Sequence, residues 1–394
     1  MTEGLNKPKP DATTLSRVWI RRLKLNSFRN YTSANIELDK RHVVLTGENG
    51  AGKTNLLEAI SFLSPGRGMR RTTYDRVAQS SDAAQTAQWA VHCDLESHIG
   101  PVELGTGLKP RNGGSDTQRR VHINGAAAKT SDMLLEYVRV LWLTPAMDGL
   151  FTGSKGDRRR FLDRLVLAID PAHGRRVANF EKAMRSRNRL LEDSGSQTAW
   201  LDGIESQLAE TAVAITFARN ELVSLLRSMI GDDEDSSFPA ADIKIDGTLD
   251  AMLMDGASAD LEDSYRALLC NSRMRDRAAG RTLEGPHRSD LLVRHRAKNM
   301  EAALCSTGEQ KALLLGLVLA HAGLVATITG MTPLLLLDEV AAHLDQNRRA
   351  ALFDLIDTIG CQTWMTGTDT DLFSAIGDRA QHFSVASGSV SRES

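Results

Sequence analysis

The sequence has few cysteines, and their positions argue against disulfide and zinc chemistry. Its 394 residues contain four cysteines, and no two of them form a CxxC pair. Such scatter argues against a disulfide framework and against a structural zinc site. It is typical of a reducing compartment, so we expect a cytoplasmic protein.

The sequence also lacks an excess of either charge. Lysine and arginine total 48 against 50 aspartate and glutamate, and the formal net charge at pH 7 is -2. A chain with so small a net charge has no overall field that would draw it to nucleic acid or to a membrane surface. Any site for a polyanion must therefore lie in a local basic segment.

No segment has the pattern of a signal peptide or of a full membrane span. The opening MTEGLNKPKPDATTL is polar and contains two prolines, which predicts a disordered tail over residues 1–16. The most apolar stretch, ALLLGLVLAHAGLVATI at 312–328, falls just short of a span and contains His321. We interpret it as a buried core helix and predict no membrane partner.

A glycine-rich loop is the strongest motif that the sequence does contain. GENGAGKTNL at 47–56 satisfies the pattern G-x-x-x-x-G-K-[ST], with a β-branched run before it and helical apolar spacing after it. Glycines let backbone N–H groups close around a polyphosphate, Lys53 meets the β- and γ-phosphates, and Thr54 binds Mg²⁺. The predicted ATP-binding residues of this loop are Gly47, Glu48, Asn49, Gly50, Ala51, Gly52, Lys53 and Thr54.

Carboxylates that suit a magnesium ion follow an apolar run near the C-terminus. In PLLLLDE at 333–339, four leucines predict a strand buried on both faces of a parallel sheet. Asp338 then lies at the carboxyl end of that strand, where α/β proteins bind ligands, and we predict it as a magnesium ligand together with Thr54. Glu339 is placed to accept a proton from an attacking water. The predicted catalytic residues are thus Lys53, Asp338 and Glu339.

A third motif stands at the start of the long apolar helix. In CSTGEQKALLLGLVLAHA, the segment from Ser306 to Gln310 precedes the apolar run. The N-terminus of a helix attracts anions through its unpaired N–H groups and its dipole. The simplest alternative is that Ser306 and Thr307 only cap this helix.

The glycine loop, the S-x-G-E-Q helix, LLLLDE and the trailing AHLD, in this order, resemble the head domain of ABC-type ATPases. The resemblance implies an ATP-dependent homodimer in which the helix of one protomer closes on the ATP held by the loop of the other. Asp345 would couple the two sites. The implied signature residues at the dimer interface are Ser306, Gly308, Glu309 and Gln310.

Two positions of that family have no clear counterpart. The expected Q-loop region, LWLTPAMDGLF at 141–151, contains no glutamine. WMTGTDTDLF at 364–373 stands where a switch histidine would, and we predict that Thr368 acts in its place. His343 lies within the AHLD segment, and we interpret it as a surface or packing residue.

Within this superfamily the sequence is similar to the RecF family, which is related to the SMC proteins. The resemblance is carried by LKLNSFRNYTSANIEL at 23–38, KGDRRRFLDRL at 155–165 and LEGPHRSDLLV at 283–293. It implies that Arg29 and Asn30 join the ATP site, and that a slow ATPase, stimulated by DNA and dimerisation, serves gap repair and replication recovery. The implied partners are double-stranded DNA and its junctions with single strands, RecR and RecO, and indirectly RecA.

The interval between Lys53 and Asp338 is too long for one crossover and predicts an inserted domain. Its charge is segmented: 155–189 has 11 basic and 4 acidic residues, 190–263 has 3 and 17, and 266–298 has 9 and 3. Such blocks are often only solvated faces. The alternative is that the basic blocks bind DNA phosphates independently of sequence. On that alternative, the predicted DNA-binding residues are Arg158, Arg159 and Arg160.

These patterns together predict an α/β protein, an ABC-type (SMC/RecF-like) P-loop ATPase head with an inserted helical domain. The head would comprise 17–154 and 276–394. The insertion at 155–275 would contain a helix pair, too short for a coiled-coil arm, that serves as a lever or in dimerisation. Another SMC-like head and an ABC transporter ATPase subunit remain as alternatives, whereas a plain P-loop kinase lacks the signature helix.

Overall fold

A computed structural model describes residues 15–79, 88–108, 118–193, 198–231, 237–254 and 260–393. The chain divides into two compact units, the first formed by 1–147 and 318–394 and the second by 148–317. The predicted tail at 1–16 lies outside the described residues except for its last two. Of these, Ser16 exchanges backbone hydrogen bonds with Gly330 and Thr332.

The strands are numbered in chain order. They are β1 (Trp19–Phe28), β2 (Tyr31–Glu37), β3 (His42–Thr46), β4 (Trp89–Ser97), β5 (Gly100–Leu108), β6 (Arg119–Ile123), β7 (Ala126–Ala127), β8 (Val140–Leu143), β9 (Ala241–Asp246), β10 (Asp290–His295), β11 (Met300–Glu301), β12 (Leu334–Leu337), β13 (Thr363–Gly367), β14 (Ala380–Ala386) and β15 (Ser389–Arg392). The α-helices are α1 (Lys53–Ser61), α2 (Lys155–Ile169), α3 (His173–Glu192), α4 (Thr198–Ile230), α5 (Thr248–Met254), α6 (Leu261–Ala279), α7 (Thr307–Thr329) and α8 (Gln346–Ile359). Short 3₁₀ segments occupy Tyr74–Val77, Ser131–Glu136, Pro145–Met147, Ala302–Leu304, Ala341–His343 and Thr370–Arg379.

A largely parallel sheet in the first unit carries the glycine loop and the LLLLDE strand. Its order is β15-β14-β3-β13-β12-β8, and β15 is the antiparallel member at one edge. Every residue of β3, β8, β12 and β13 is buried, as expected of a sheet covered on both faces. The predicted buried strand at LLLL is confirmed, with parallel neighbours on both sides.

An antiparallel sheet completes the first unit, with the order β2-β1-β4-β5-β6-β7. Burial alternates along β4 and β5, so one face of this sheet is apolar and the other is solvated. The apolar face shares one core with α1 and the parallel sheet. Within it, the ring of Phe62 lies 4.9 Å from that of Trp89 and 6.0 Å from that of Phe28. This core fixes α1 and therefore the loop that precedes it.

The second unit contains helices α2–α6 and the three-stranded sheet β11-β10-β9. The predicted helix pair is present as α3 and α4, which pack against each other and against α6. A fully buried arginine joins the three helices, because Arg187 bonds Glu205 of α4 at 2.9 Å and Asp276 of α6 at 2.7 Å. Its charge is compensated on both sides, which a buried ion requires.

The second unit extends beyond the predicted insertion at 155–275. Strand β9 lies within that insertion, but its antiparallel partner β10 follows it, with Ile245 opposite Leu291. A boundary at 275 would separate paired strands, so the compact unit reaches residue 317. Among the described residues one helix, α7, is long and apolar enough to span a membrane, and it is mostly buried in the protein. That burial confirms the predicted core helix.

Candidate nucleotide site

The predicted strand, glycine loop and helix are confirmed as β3, residues 47–52 and α1. Gly47 and Gly52 adopt φ angles of 143° and 120°, which side-chain-bearing residues rarely adopt. A Cβ on Gly47 would collide with the carbonyl oxygen of Val385, and one on Gly52 would lie 2.5 Å from Nδ2 of Asn30. The loop therefore needs glycine at both positions.

Lys53, the first residue of α1, turns its ammonium back into the loop. Its Nζ donates to the carbonyl of Gly47 at 2.5 Å and to that of Glu48 at 2.9 Å. Burial lowers the pKa of Lys53. Carbonyl oxygens are weaker partners for an ammonium than phosphate oxygens are, since a bond between two ions is stronger. The loop thus holds a cation that a phosphate could recruit.

The next residue, Thr54, connects the loop to the carboxylate strand. Its hydroxyl donates to Oδ1 of Asp338 at 2.9 Å. The hydroxyl of Thr366 in β13 donates to the same oxygen, also at 2.9 Å. Burial raises the pKa of Asp338, and these two hydrogen bonds oppose the rise. The predicted magnesium ligands Thr54 and Asp338 are therefore adjacent.

Glu339 has an unusual backbone for a residue other than glycine, with φ of 55°. Such a conformation costs about 1–3 kcal/mol and is commonest at functional sites. Hydrogen bonds hold the turn, since the N–H of Glu339 donates to the Thr366 hydroxyl at 2.8 Å and that of Asp338 to the Leu143 carbonyl at 2.9 Å. Thr368, predicted at the switch position, is exposed beyond the end of β13. Within this segment it is Thr366, in β13 itself, that contacts Asp338.

Asn30 and Arg29, both predicted in the ATP site, hold different positions. Asn30 braces the glycine loop, because its Nδ2 donates to the carbonyl of Ala51 at 2.9 Å. Arg29 forms a two-pronged ion pair with the buried Glu58 of α1, at 2.8 and 2.6 Å. Its contact with ATP stays a prediction.

Arg70 shares the carboxylate of Glu58 with Arg29, at 3.2 Å, and also donates to Oδ1 of Asn55 at 2.8 Å. Its side chain is 40% exposed. The positive charge of Arg70 also lowers the pKa of Asp338, although burial and the hydrogen bonds from Thr366 and Thr54 have larger effects on that pKa. Arg70 thus places a half-exposed cation beside the site.

At the start of α7, Ser306 and Glu309 form a capping box. The N–H and hydroxyl of Ser306 donate to Oε2 of Glu309 at 3.0 and 2.9 Å, and the Glu309 N–H returns a bond of 3.4 Å. Lys298 pairs with Glu309, and Lys298 and Ser306 together lower the pKa of that carboxyl to about 2. The capping interpretation thus describes the free protomer, and contact with a second protomer stays a prediction.

The other predicted interface residues lie near the N-terminus of α7 or at the N-terminus of α8. Gln310 is buried and donates from Nε2 to the carbonyl of Cys305 at 2.8 Å. Gly308 has open space where a side chain would stand. Asp345 caps α8 by accepting from the N–H of Arg348 at 2.9 Å, and His343 is exposed. A coupling role for Asp345 remains a prediction.

The three arginines predicted to bind DNA have three different environments. Arg158 is 13% exposed and bonds Asp290 with both prongs, at 2.7 and 2.9 Å, so it joins α2 to β10. Arg159 donates to the carbonyl of Ser289 at 2.7 Å. Arg160 is 53% exposed and pairs with Asp157. Arg158 is thus tied into the fold by an ion pair, and contact of the three arginines with DNA stays a prediction.

The fold and the site together define a P-loop ATPase head of the ABC and SMC type. Residues 19–389 match the family described as RecF/RecN/SMC N terminal domain. The protein named DNA replication and repair protein RecF from Rhizobium etli is 57% identical over 375 residues, which cover 95% of this chain and 99% of that protein. Its namesake from Agrobacterium fabrum is 55% identical over 376 residues, with the same coverage. The chain belongs to the RecF family.

Solved structures share the fold. The structure of the recombination mediator protein RecF with ATP in the RecFOR pathway is 22% identical, covers 96% of this chain and 98% of its own, and has a TM-score of 0.80. The Smc head domain from Pyrococcus furiosus, bound to the C-terminal domain of ScpA, is 16% identical with a TM-score of 0.54, covering 95% and 96%. At these sequence identities, both similarities show a shared fold.

Proposed function

We propose that this protein is an ATP-dependent, dimerising DNA-binding ATPase of recombinational gap repair and replication recovery. The observation that carries the proposal is the 2.9 Å hydrogen bond between Thr54 and Asp338, which joins the phosphate loop to the carboxylate strand. The name shared by relatives over nearly the whole chain supports the setting in DNA repair. Membership of the RecF family favours this function over the two alternatives, another SMC-like head and a transporter ATPase subunit.

Each residue of the site has a distinct task in that proposal. The loop at 47–54 would hold the phosphates, and Lys53 would exchange its loop carbonyls for phosphate oxygens. Thr54 and Asp338 offer the oxygen ligands that Mg²⁺ prefers. Among the described residues no group of three or more His, Cys, Asp and Glu could hold a metal. Phosphate and water oxygens would therefore complete the shell, as is usual for Mg²⁺.

Hydrolysis would depend on Glu339 and on a second protomer. Glu339 would take the proton of the attacking water as a general base. Ser306 and Gly308 would meet the γ-phosphate held by the partner's loop, so that ATP joins two protomers and slow hydrolysis releases them. In this proposal RecR and RecO are the direct partners, and loading of RecA is the outcome.

Binding of DNA should depend on nucleotide. Mobility-shift titrations would compare a duplex, a duplex with a single-stranded gap and a single strand, each with ATP, with ADP and without nucleotide. We expect ATP to tighten binding to the duplex and the gapped junction by roughly tenfold or more, since linked equilibria of this kind are worth 5- to 150-fold. Equal affinity in all three nucleotide conditions would contradict the proposal.

A further inference from the structure

Two arginine side chains from distant helices reach one turn before β10. Arg159 of α2 donates to the carbonyl of Ser289 at 2.7 Å. Arg219 of α4 donates to the carbonyl of Pro286 at 2.7 Å and to the hydroxyl of Ser289 at 2.9 Å. Arg288 belongs to the turn itself, where its N–H donates to the Gly285 carbonyl at 2.9 Å. The turn therefore brings three guanidinium-bearing residues together.

The neighbouring carboxylates are already occupied. Asp163 accepts from both prongs of Arg219, at 2.8 and 2.9 Å, and also bonds His173. Asp290 is engaged by Arg158 at 2.7 Å and lies 3.7 Å from the ammonium of Lys155.

Arg159, which reaches the turn from α2, and Arg288, in the turn itself, form no ion pair with a carboxylate among the described residues. Arg288 is exposed, and within the described residues its side chain has no hydrogen-bond or ion-pair partner. Arg159 bonds a neutral carbonyl. Asp290 and Asp163 lie near enough to raise the pKa of Arg159, but both are bonded to other cations. Neither Arg159 nor Arg288 therefore has an ion pair of its own among the described residues.

The positive charges around the turn act on each other's protonation. Burial lowers the pKa of Arg159, and the charges of Arg219 and Arg288 lower it further, against the opposing charges of Asp290 and Asp163. Burial also lowers the pKa of His287, its hydrogen bond to the Thr282 carbonyl opposes that effect, and the charges of Arg288 and Arg159 add to it. A half-buried group whose charge is opposed by its neighbours is stabilised by an incoming anion. The turn is thus prepared for an anionic ligand.

We propose that Arg159 and Arg288 form a phosphate-contact site for the backbone of bound DNA. The inference rests on the proposed DNA binding and names a place where it occurs. A guanidinium is planar and matches phosphate with two parallel N–H bonds, which suits it to successive backbone phosphates. Contacts of this kind position DNA and read no bases, so the site would be indifferent to sequence.

The salt dependence of duplex binding tests the site. With ATP present, the slope of log affinity against log salt should fall by roughly 0.9 for each phosphate contact removed. We expect that loss in Arg288→Gln, and about twice as much in the double variant with Arg159→Gln. Arg288→Lys should restore the slope, because it keeps the charge. The matched control is Arg275→Gln, an exposed arginine of the same basic block that is neutralised by Glu284 at 3.1 Å.

The outcomes separate this inference from the function on which it rests. If the wild-type protein does not bind duplex DNA, the proposed function fails. If the wild-type protein binds and the double variant keeps its full slope and affinity, only the phosphate site is overturned. Loss of ATP-dependent dimerisation with an unchanged slope would also overturn it, since the turn would then face protein. Thermal melting checks folding, and Arg288→Gln alone decides if the double variant is unstable.

Discussion

Lys53→Met is expected to weaken ATP binding by roughly 100-fold, because a bond to a charged group is worth about 1.5–3 kcal/mol and Lys53 would meet two phosphates. The substituted side chain keeps most of the length but removes the only positive charge that the loop at 47–54 contains. Titration with a fluorescent ATP analogue measures the dissociation constant. Dimerisation and DNA binding that depend on ATP should disappear at the same nucleotide concentration.

A matched substitution separates loss of the phosphate partner from loss of one surface charge. Lys40→Met makes the same change at an exposed position before β3 and should leave ATP affinity unaltered. Melting temperature must be compared as well, because Lys53 also bonds the carbonyls of Gly47 and Glu48. Undiminished ATP affinity in a folded Lys53→Met protein would show that the loop is not a phosphate site.

Glu339→Gln should stop turnover while ATP binding persists. An amide cannot accept the proton of the attacking water, and a general base contributes roughly 10²- to 10⁴-fold to a rate. Phosphate release under single-turnover conditions should slow by that order, and ATP-bound dimers should outlast those of the wild-type protein. The N–H of residue 339 still reaches the hydroxyl of Thr366, so the turn is kept.

Glu136→Gln provides the control for this substitution. It removes a carboxylate from an exposed position in the same unit, at the end of a 3₁₀ segment. Its turnover should match that of the wild-type protein. Wild-type turnover in Glu339→Gln would remove Glu339 from the role of base and return the task to another group near Asp338.

Those parts of the site that are local in the chain could be predicted from the sequence. The glycine loop needs only the spacing of Gly47, Gly52 and Lys53, because strand, loop and helix follow each other directly. The LLLL run sufficed for a buried parallel strand, and the carboxylates follow it without interruption. Such features depend on residues within about ten positions of each other, and a sequence motif contains all of them.

Contacts set by the order of strands could not be predicted. Thr366 reaches Asp338 because β13 lies between β3 and β12, and no local pattern contains that order. Arg158 and Arg160 are equivalent in the sequence, but only Arg158 forms an ion pair with Asp290, which is 132 residues away in the chain. Arg70 was missed for the same reason, since Glu58 becomes its partner only when the chain folds.

At the start of the signature helix, one residue pattern fits two roles. The sequence is compatible with Ser306 as a helix cap and with Ser306 as an interface residue. In the structure its hydroxyl bonds Glu309, as a cap does, and the residue is exposed, as an interface contact requires. A cap and an interface contact are compatible, since the serine oxygen has two lone pairs and the hydroxyl can rotate. The cap in the free protomer is therefore compatible with a contact to a second protomer.

Light scattering of the wild-type protein and of Ser306→Arg, each with ATP, with ADP and without nucleotide, tests most directly whether ATP joins two protomers. We expect the mass of the wild-type protein to double with ATP but not with ADP or without nucleotide. The Ser306→Arg protein should stay monomeric in all three conditions, although its own loop still binds ATP. Ser306→Asp should also stay monomeric, although aspartate caps helices as well as serine does, because its carboxylate would repel the γ-phosphate. A Ser306→Arg protein that dimerises with ATP as the wild-type protein does would contradict the account.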